Sequence, residues 1–195
     1  WPVSSDRVVW ALAAWEIYIY TGDKDWLMNA FGIITTSMEA DTMTITDPET
    51  GLIRGESSFL DWRKQTYPLW MEPADIYGSL NLGTNVAYCQ ALRVTGMMAR
   101  ELGREDNWSK RADELRDKIN SHLWLEDRGY YGQYLYGRRY RTVSPRAEAL
   151  GESFSVLFGI ADEERSLRVL QNTPVTPFGI TCIYPQIPGI PPYHN

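Results

Sequence analysis

Two cysteines and two histidines are all that the 195 residues hold of the side chains that most often bind transition metals. Cys89 and Cys182 lie far apart, and no His/Cys cluster has ligand spacing, so a zinc site has no support. Cys89 falls on the apolar side of an expected helix, where a buried free thiol is the simplest account. A basic excess is also missing. Lys and Arg number 19 against 25 Asp and Glu, a net charge of −6, which argues against a nucleic-acid partner. The one basic cluster, Arg138, Arg139, Arg141 and Arg146, is interleaved with Tyr136 and Tyr140 and reads as a solvated hairpin tip. No apolar run approaches the length of a membrane span, and no signal peptide opens the chain. The chain begins on "WPVSSDR" without a Met and reads as an interior piece of a longer protein.

Aromatic residues are abundant: 13%, with eight Trp and twelve Tyr. Most aromatics build cores. Here several stand beside Asp, Glu, Asn or Arg, as in "DWRKQTYPLW" and "WPVSSDR". That mixture also suits carbohydrate, because apolar sugar faces stack on indole and phenol while the ring hydroxyls need polar partners.

Periodicity predicts three helical hairpins. The first is "RVVWALAAWEIYIYT" from about Arg7, ended by Gly22, then "DWLMNAFGIITTSMEAD" from Asp25 to Asp41. The first helix is apolar nearly all round and is expected to be enclosed. The second should bury Trp26, Ala30, Ile33 and Ile34. The next pair is Gly83 to Gly103, mostly apolar on the faces of Val86, Ala87, Leu92 and Met97, then about Glu105 to Trp124. That last helix carries the stripe Trp108, Ala112, Leu115, Ile119 and Leu123. The third pair is Ala147 to Ile160, then Asp162 to Asn172. The links are short, so paired helices should be antiparallel neighbours. "TDPETGLIRGESSFLDW" and "LEDRGYYGQYLYGRRYRTV" read as strand pairs turning at Gly or Pro, and the tail from Thr173 has too much Pro for a central strand. Repeated helical hairpins close a ring or stack as a solenoid, and the long decorated loops favour the ring.

"SDRVVWALAAWEIYIYTGDKDWL" resembles the inner helix, "TGD" link and outer helix of the six-hairpin glycosidases. "GLIRGESSFLDW" is similar to the excursion that carries active-site acids there, and "ESSFLDW" to the "E-S-G-W-D" of trehalase-like members. The closing "PYHN" resembles the "HN" that opens a further inner helix in glycogen-debranching, amylo-1,6-glucosidase-type relatives. The resemblance implies an all-α, (α/α)6-toroid-type fold with short β-hairpin insertions. The chain, 1–195, would supply about half of the toroid: hairpins 7–41, 83–124 and 147–172, with rim loops 42–82, 125–146 and 173–195. The parent chain would supply the remaining hairpins. The implied activity is inverting hydrolysis of oligosaccharides, α-linked ones foremost, with no cofactor, metal, nucleic acid or membrane. Glycan-degrading relatives are often exported, which makes the periplasm or the exterior the expected compartment.

Glycosidic cleavage needs a protonated acid on the leaving oxygen and an opposed carboxylate, about 6.5–9.5 Å away when a water must enter between them. Asp61 is the expected acid, since desolvation by Leu60 and Trp62 would raise its pKa while Arg63 opposes. "SSFLD" replaces "SGWD", however, which displaces this acid by one position. An ion pair with Arg63 that only pins the loop is its simpler role. Glu56 is the second candidate, with a loop-stabilising acceptor as its alternative. Glu152, near the start of the third enclosed helix, is a candidate base with a rim-facing carboxylate. In related families the base comes from a later hairpin, so the resemblance implies that this piece lacks it and is inactive alone. Trp62, Tyr67 and Trp70 are expected to stack sugars or to pack under the loop. Trp1, Asp6, Arg7, Arg63, Asp75 and Asn85 are expected substrate contacts, with helix capping as the alternative for Asp6, Asp75 and Asn85.

Two other classes share these features. One is a binding module whose aromatic rim holds a glycan or protein without chemistry. The other is a different (α/α)6 enzyme: a phosphorylase, epimerase or lyase. An epimerase or lyase needs a proton-abstracting His or Tyr, and the histidines are His122, on an outer helix, and His194.

Overall fold

Glycine and aspartate together build the first hairpin. Gly22 adopts a left-handed φ of 67° and sends its amide to Tyr18 O, ending α1 (Asp6–Thr21). Asp23 then accepts the Trp26 amide at 2.9 Å and starts α2 (Lys24–Thr44). A link this short leaves the helices no choice but to fold back on each other. Further on, Asp106 accepts the amides of Trp108 and Ser109, and Asp162 that of Arg165.

The computed structural model describes residues 5–56 and 67–189. After α2 come the single turn α3 (Pro73–Tyr77), α4 (Leu82–Glu101) and α5 (Trp108–His122), then α6 (Ala149–Leu157) and α7 (Glu163–Asn172). Helix α4 is the centre. It packs on α1 at one side and α6 at the other, and α5 and α2 lie against it. Hence α1, α4 and α6 form an inner row, backed by α2, α5 and α7. Their directions follow from side-chain pairs. Arg7, early in α1, and Tyr88, early in α4, share Asp41, whereas Tyr18 and Glu101 join the far ends of the same helices. Gly83 faces Glu148 at the start of α6, and Arg93, mid-way along α4, reaches Phe158 O at the end of α6. The three inner helices are therefore parallel, with their N-termini at one end.

The strands are short and antiparallel. β1 (Leu80–Asn81), β4 (Tyr134–Tyr136) and β5 (Thr142–Val143) form one sheet in the order β1-β4-β5. β2 (Trp124–Leu125) pairs with β3 (Tyr130–Tyr131), β6 (Ala147–Glu148) with β9 (Ile183–Tyr184), and β7 (Val175–Thr176) with β8 (Gly179–Ile180). The Asp47–Gly51 turn carries a lone bridge, Thr46 to Ile53, where a strand pair is expected.

The stripe of α5 is buried as its spacing predicts. Three helices differ from expectation. α2 buries Leu27, Ala30, Phe31, Ile34 and Met38, and turns Trp26 and Ile33 outward. α1 buries only Val8, Ala11, Ala14 and Tyr18, and leaves Val9, Ile17, Ile19 and Tyr20 exposed. In α4, likewise, Met98 is inside and Met97 is half exposed. Each of these helices has apolar residues on more than one face, and the position of α4 decides which face is covered.

Candidate active site

The loops gather at the N-terminal end of the inner row because backbone hydrogen bonds hold them there. Leu82 N donates to Gln133 O, Gln133 N to Arg146 O, and Ala149 N to Cys182 O. Asn85 is enclosed and spends its amide on the first loop: Oδ1 accepts Ile53 N at 2.7 Å, while Nδ2 donates to Ile53 O and Asn81 O. Its role is thus to anchor loop to helix. Thr84 holds the Glu56 carbonyl at 2.7 Å.

Three groups of side chains line this rim. The first is aromatic. Tyr67 lies 5.5 Å from Tyr134, and Trp70 5.8 Å from Tyr136, centroid to centroid. Asn81 Nδ2 donates to the Tyr67 hydroxyl at 3.2 Å. Trp70 is 61% exposed. With Ser144, Arg146 and Ile187, the rings of Trp70, Tyr134 and Tyr136 border a groove of about 320 Å³.

The second group is charged. Asp47 is enclosed, and its Oδ1 accepts Arg54 Nη2 at 2.9 Å and Arg141 Nη2 at 2.6 Å. Burial pushes its carboxyl up, but Arg54, Thr50 and Arg141 outweigh burial and hold it below the usual carboxylate range. Asp75 caps α3 and pairs with Arg138 at 2.7 Å, which lowers its pKa. Arg7 pairs at 2.6 Å with Asp41, which also takes the Tyr88 hydroxyl. Asp6 is exposed at the first turn of α1, and Ser5 occupies the cap position.

The third group is two buried acids. Glu148 ends β6 and Glu152 lies one turn into α6, both with their carboxyls enclosed. Glu152 Oε2 accepts the Tyr131 amide at 3.2 Å, and its other oxygen has no hydrogen-bond partner. Neither oxygen of Glu148 is bonded, although the Gly151 amide lies near enough to favour its charge slightly. Burial pushes Glu148 up to about 8. Burial also raises Glu152 well above the usual range against the pull of the Tyr131 amide, and Glu148 adds to the rise. Glycine makes the space. A Cβ at Gly151 would lie 2.8 Å from Leu82 Cδ2 and 3.1 Å from Glu148 Oε2.

Among the expected site residues, the structure brings Tyr67 and Trp70 to one wall. Asp75 and Asn85 enter fixed networks, Arg7 pairs away from the groove, and Glu152 sits beneath the surface. Trp1, Asp61, Trp62 and Arg63 lie outside the described residues. Sequence reading passed over Glu148, Tyr134 and the Asp47–Arg54–Arg141 cluster. For Glu148 one signal was present: both acids of "RAEALGESF" have small neighbours. Among the described residues no group of His, Cys, Asp or Glu is arranged to hold a metal ion, and no helix is long and apolar enough to cross a membrane.

A family model for the bacterial alpha-L-rhamnosidase six-hairpin glycosidase domain matches residues 6–173. The chain belongs to this family. The chain is similar in structure to a GH78 family rhamnosidase of Bacillus sp. GL1, with a TM-score of 0.67 and 21% identity over 88% of the chain. It also resembles a D-mannose isomerase, TM-score 0.57, 10% identity over 87% of the chain. A third likeness is to a neutral trehalase of Saccharomyces cerevisiae, TM-score 0.51, 13% identity over 76% of the chain. At these identities the likeness is one of fold. The chain spans 18%, 39% and 42% of those three proteins. No protein of curated function matches it.

Proposed function

We propose that this six-hairpin domain is part of a glycoside hydrolase that cleaves α-linked oligosaccharides, α-L-rhamnosides foremost, with inversion at the anomeric carbon. The observation that carries this reading is the family match over residues 6–173. The aromatic wall of Tyr67, Trp70, Tyr134 and Tyr136 at the N-terminal end of three parallel inner helices supports it.

Asp61 is proposed as the proton donor, with Glu56 behind it. A general base must be ionised, and enclosure works against that at Glu152, so the base is assigned to a later hairpin. In this reading the remaining hairpins cover the two apolar faces exposed at the ends of the inner row. One is Val9, Ile17, Ile19 and Tyr20 on α1; the other is Leu157 on α6 with Leu167 and Leu170 on α7.

The test is hydrolysis of an aryl α-L-rhamnoside by the full-length protein, with Asp61→Asn beside it. Turnover that drops by orders of magnitude in the variant, with unchanged saccharide binding, supports the assignment. Binding without turnover in the parent protein would instead select a carbohydrate-binding module.

A further inference from the structure

The four arginines of the 138–146 segment are not equivalent. Arg138 pairs with Asp75 and Arg141 with Asp47, while Arg139 lies over the Tyr140 ring, 5.6 Å from its centroid. Arg146 has no acidic partner among the described residues. Its Nε donates to Pro185 O at 3.0 Å, which fixes the guanidinium, and neither Nη group has a hydrogen-bond partner among the described residues. It borders the groove that Trp70, Tyr134 and Tyr136 also line. Ser144, on the same groove, is enclosed, with its hydroxyl near the Tyr134 phenol. A half-buried cation with no counter-charge among the described residues is an unusual element to hold beside indole and phenol faces.

Resting on the reading of this rim as a glycan site, we infer that the groove takes a sugar unit bearing a carboxylate, a uronate. The ring face lies on Trp70 and Tyr136, and the carboxylate takes the two Nη groups of Arg146, which have no partner among the described residues. A planar guanidinium held at Nε presents two parallel N–H bonds at its far end, the spacing that a planar carboxylate accepts in pairs. A groove of about 320 Å³ stands at the small end of ligand sites and has room for one or two rings. The chain's net charge of −6 gives no long-range attraction for an acidic glycan, so selection has to be local.

The experiment is titration of the full-length protein with α-1,4-digalacturonate, its dimethyl ester, α-1,4-galactobiose and the 6-O-sulfated galactobiose. The inference expects digalacturonate to bind at least about tenfold tighter than the ester or galactobiose, with the preference fading in high salt. Arg146→Gln should abolish that preference. Arg146→Lys, which keeps the charge but not the fork, should restore it in part. Trp70→Ala should weaken all four ligands alike. Equal binding of acidic and neutral ligands, or a preference that survives Arg146→Gln, overturns the inference while leaving the glycan reading intact. Tighter binding of the sulfated ligand than of digalacturonate overturns the assignment to a carboxylate. Binding of none of the four overturns both.

Discussion

Glu148 and Glu152 stand one helical turn apart at the start of α6, and both carboxyls are shut away from water. Three of their four oxygens have no hydrogen-bond partner among the described residues. A pair of ionised carboxylates in that setting would be strongly disfavoured, so burial raises both above the usual carboxylate range and favours their acid form in the fold.

That state makes stability fall as pH rises. In the unfolded chain Glu148 titrates near 4.5, and in the fold near 8, so between those values the native state binds a proton that the unfolded state has lost. The contribution is fully present below about pH 4.5 and is lost as pH rises through about 8. Urea unfolding at pH 5, 6, 7 and 8 should show a downward slope of about 1.4 kcal/mol per pH unit for such a group. Glu148→Gln should flatten that slope and make the protein more stable at pH 8. An unchanged slope in the variant contradicts the assignment.

Asn85 is predicted to be structural. Replacing it with Ala strands the amide and carbonyl of Ile53 and the carbonyl of Asn81 in the interior, at about 1–3 kcal/mol for each group left without a partner. The unfolding midpoint should drop, and hydrogen exchange should quicken at Ile53 before it quickens in α5. A variant of native stability would show that water takes over these bonds.

Asp47 gathers Arg54 and Arg141 at a single carboxylate oxygen. Asp47→Ala leaves two arginines facing each other and should cost about 3 kcal/mol, the low end for a broken buried pair because both arginines keep some contact with water. Its pKa is lowered in the fold, so its contribution is present above the unfolded value of 3.8 and is lost as pH falls through the lower folded value. Asp47→Asn should therefore lower the thermal midpoint at about pH 5, and the deficit should shrink as pH falls towards about 2; thermal midpoints across that range check this.

Much of the fold is legible residue by residue. The amphipathic spacing of α5 has only one face to bury, and "TGD" carries both a helix stop and a helix start, so neither depends on distant chain. α2 is different. Trp26 and Ile33 lie beside Leu27, Phe31 and Ile34 on adjoining faces, and only the arrival of α4 decides between them. The candidate site is less legible still. Tyr67 and Trp70 stand out as aromatics in a polar loop, but their partners Tyr134 and Tyr136 come from another loop more than sixty residues on. Glu148 was hidden for a related reason. A glutamate reads as exposed until Gly83 and Gly151 are seen to open a space for it.

The most direct measurement is a glycan-hydrolysis screen on the full-length protein, begun with aryl α-L-rhamnosides and with the first-formed anomer read by NMR. The expected result is cleavage of an α-linked glycoside with release of the inverted sugar, and its loss in Asp61→Asn. Release of the retained anomer, or no cleavage of any glycoside by a folded full-length protein, would contradict it.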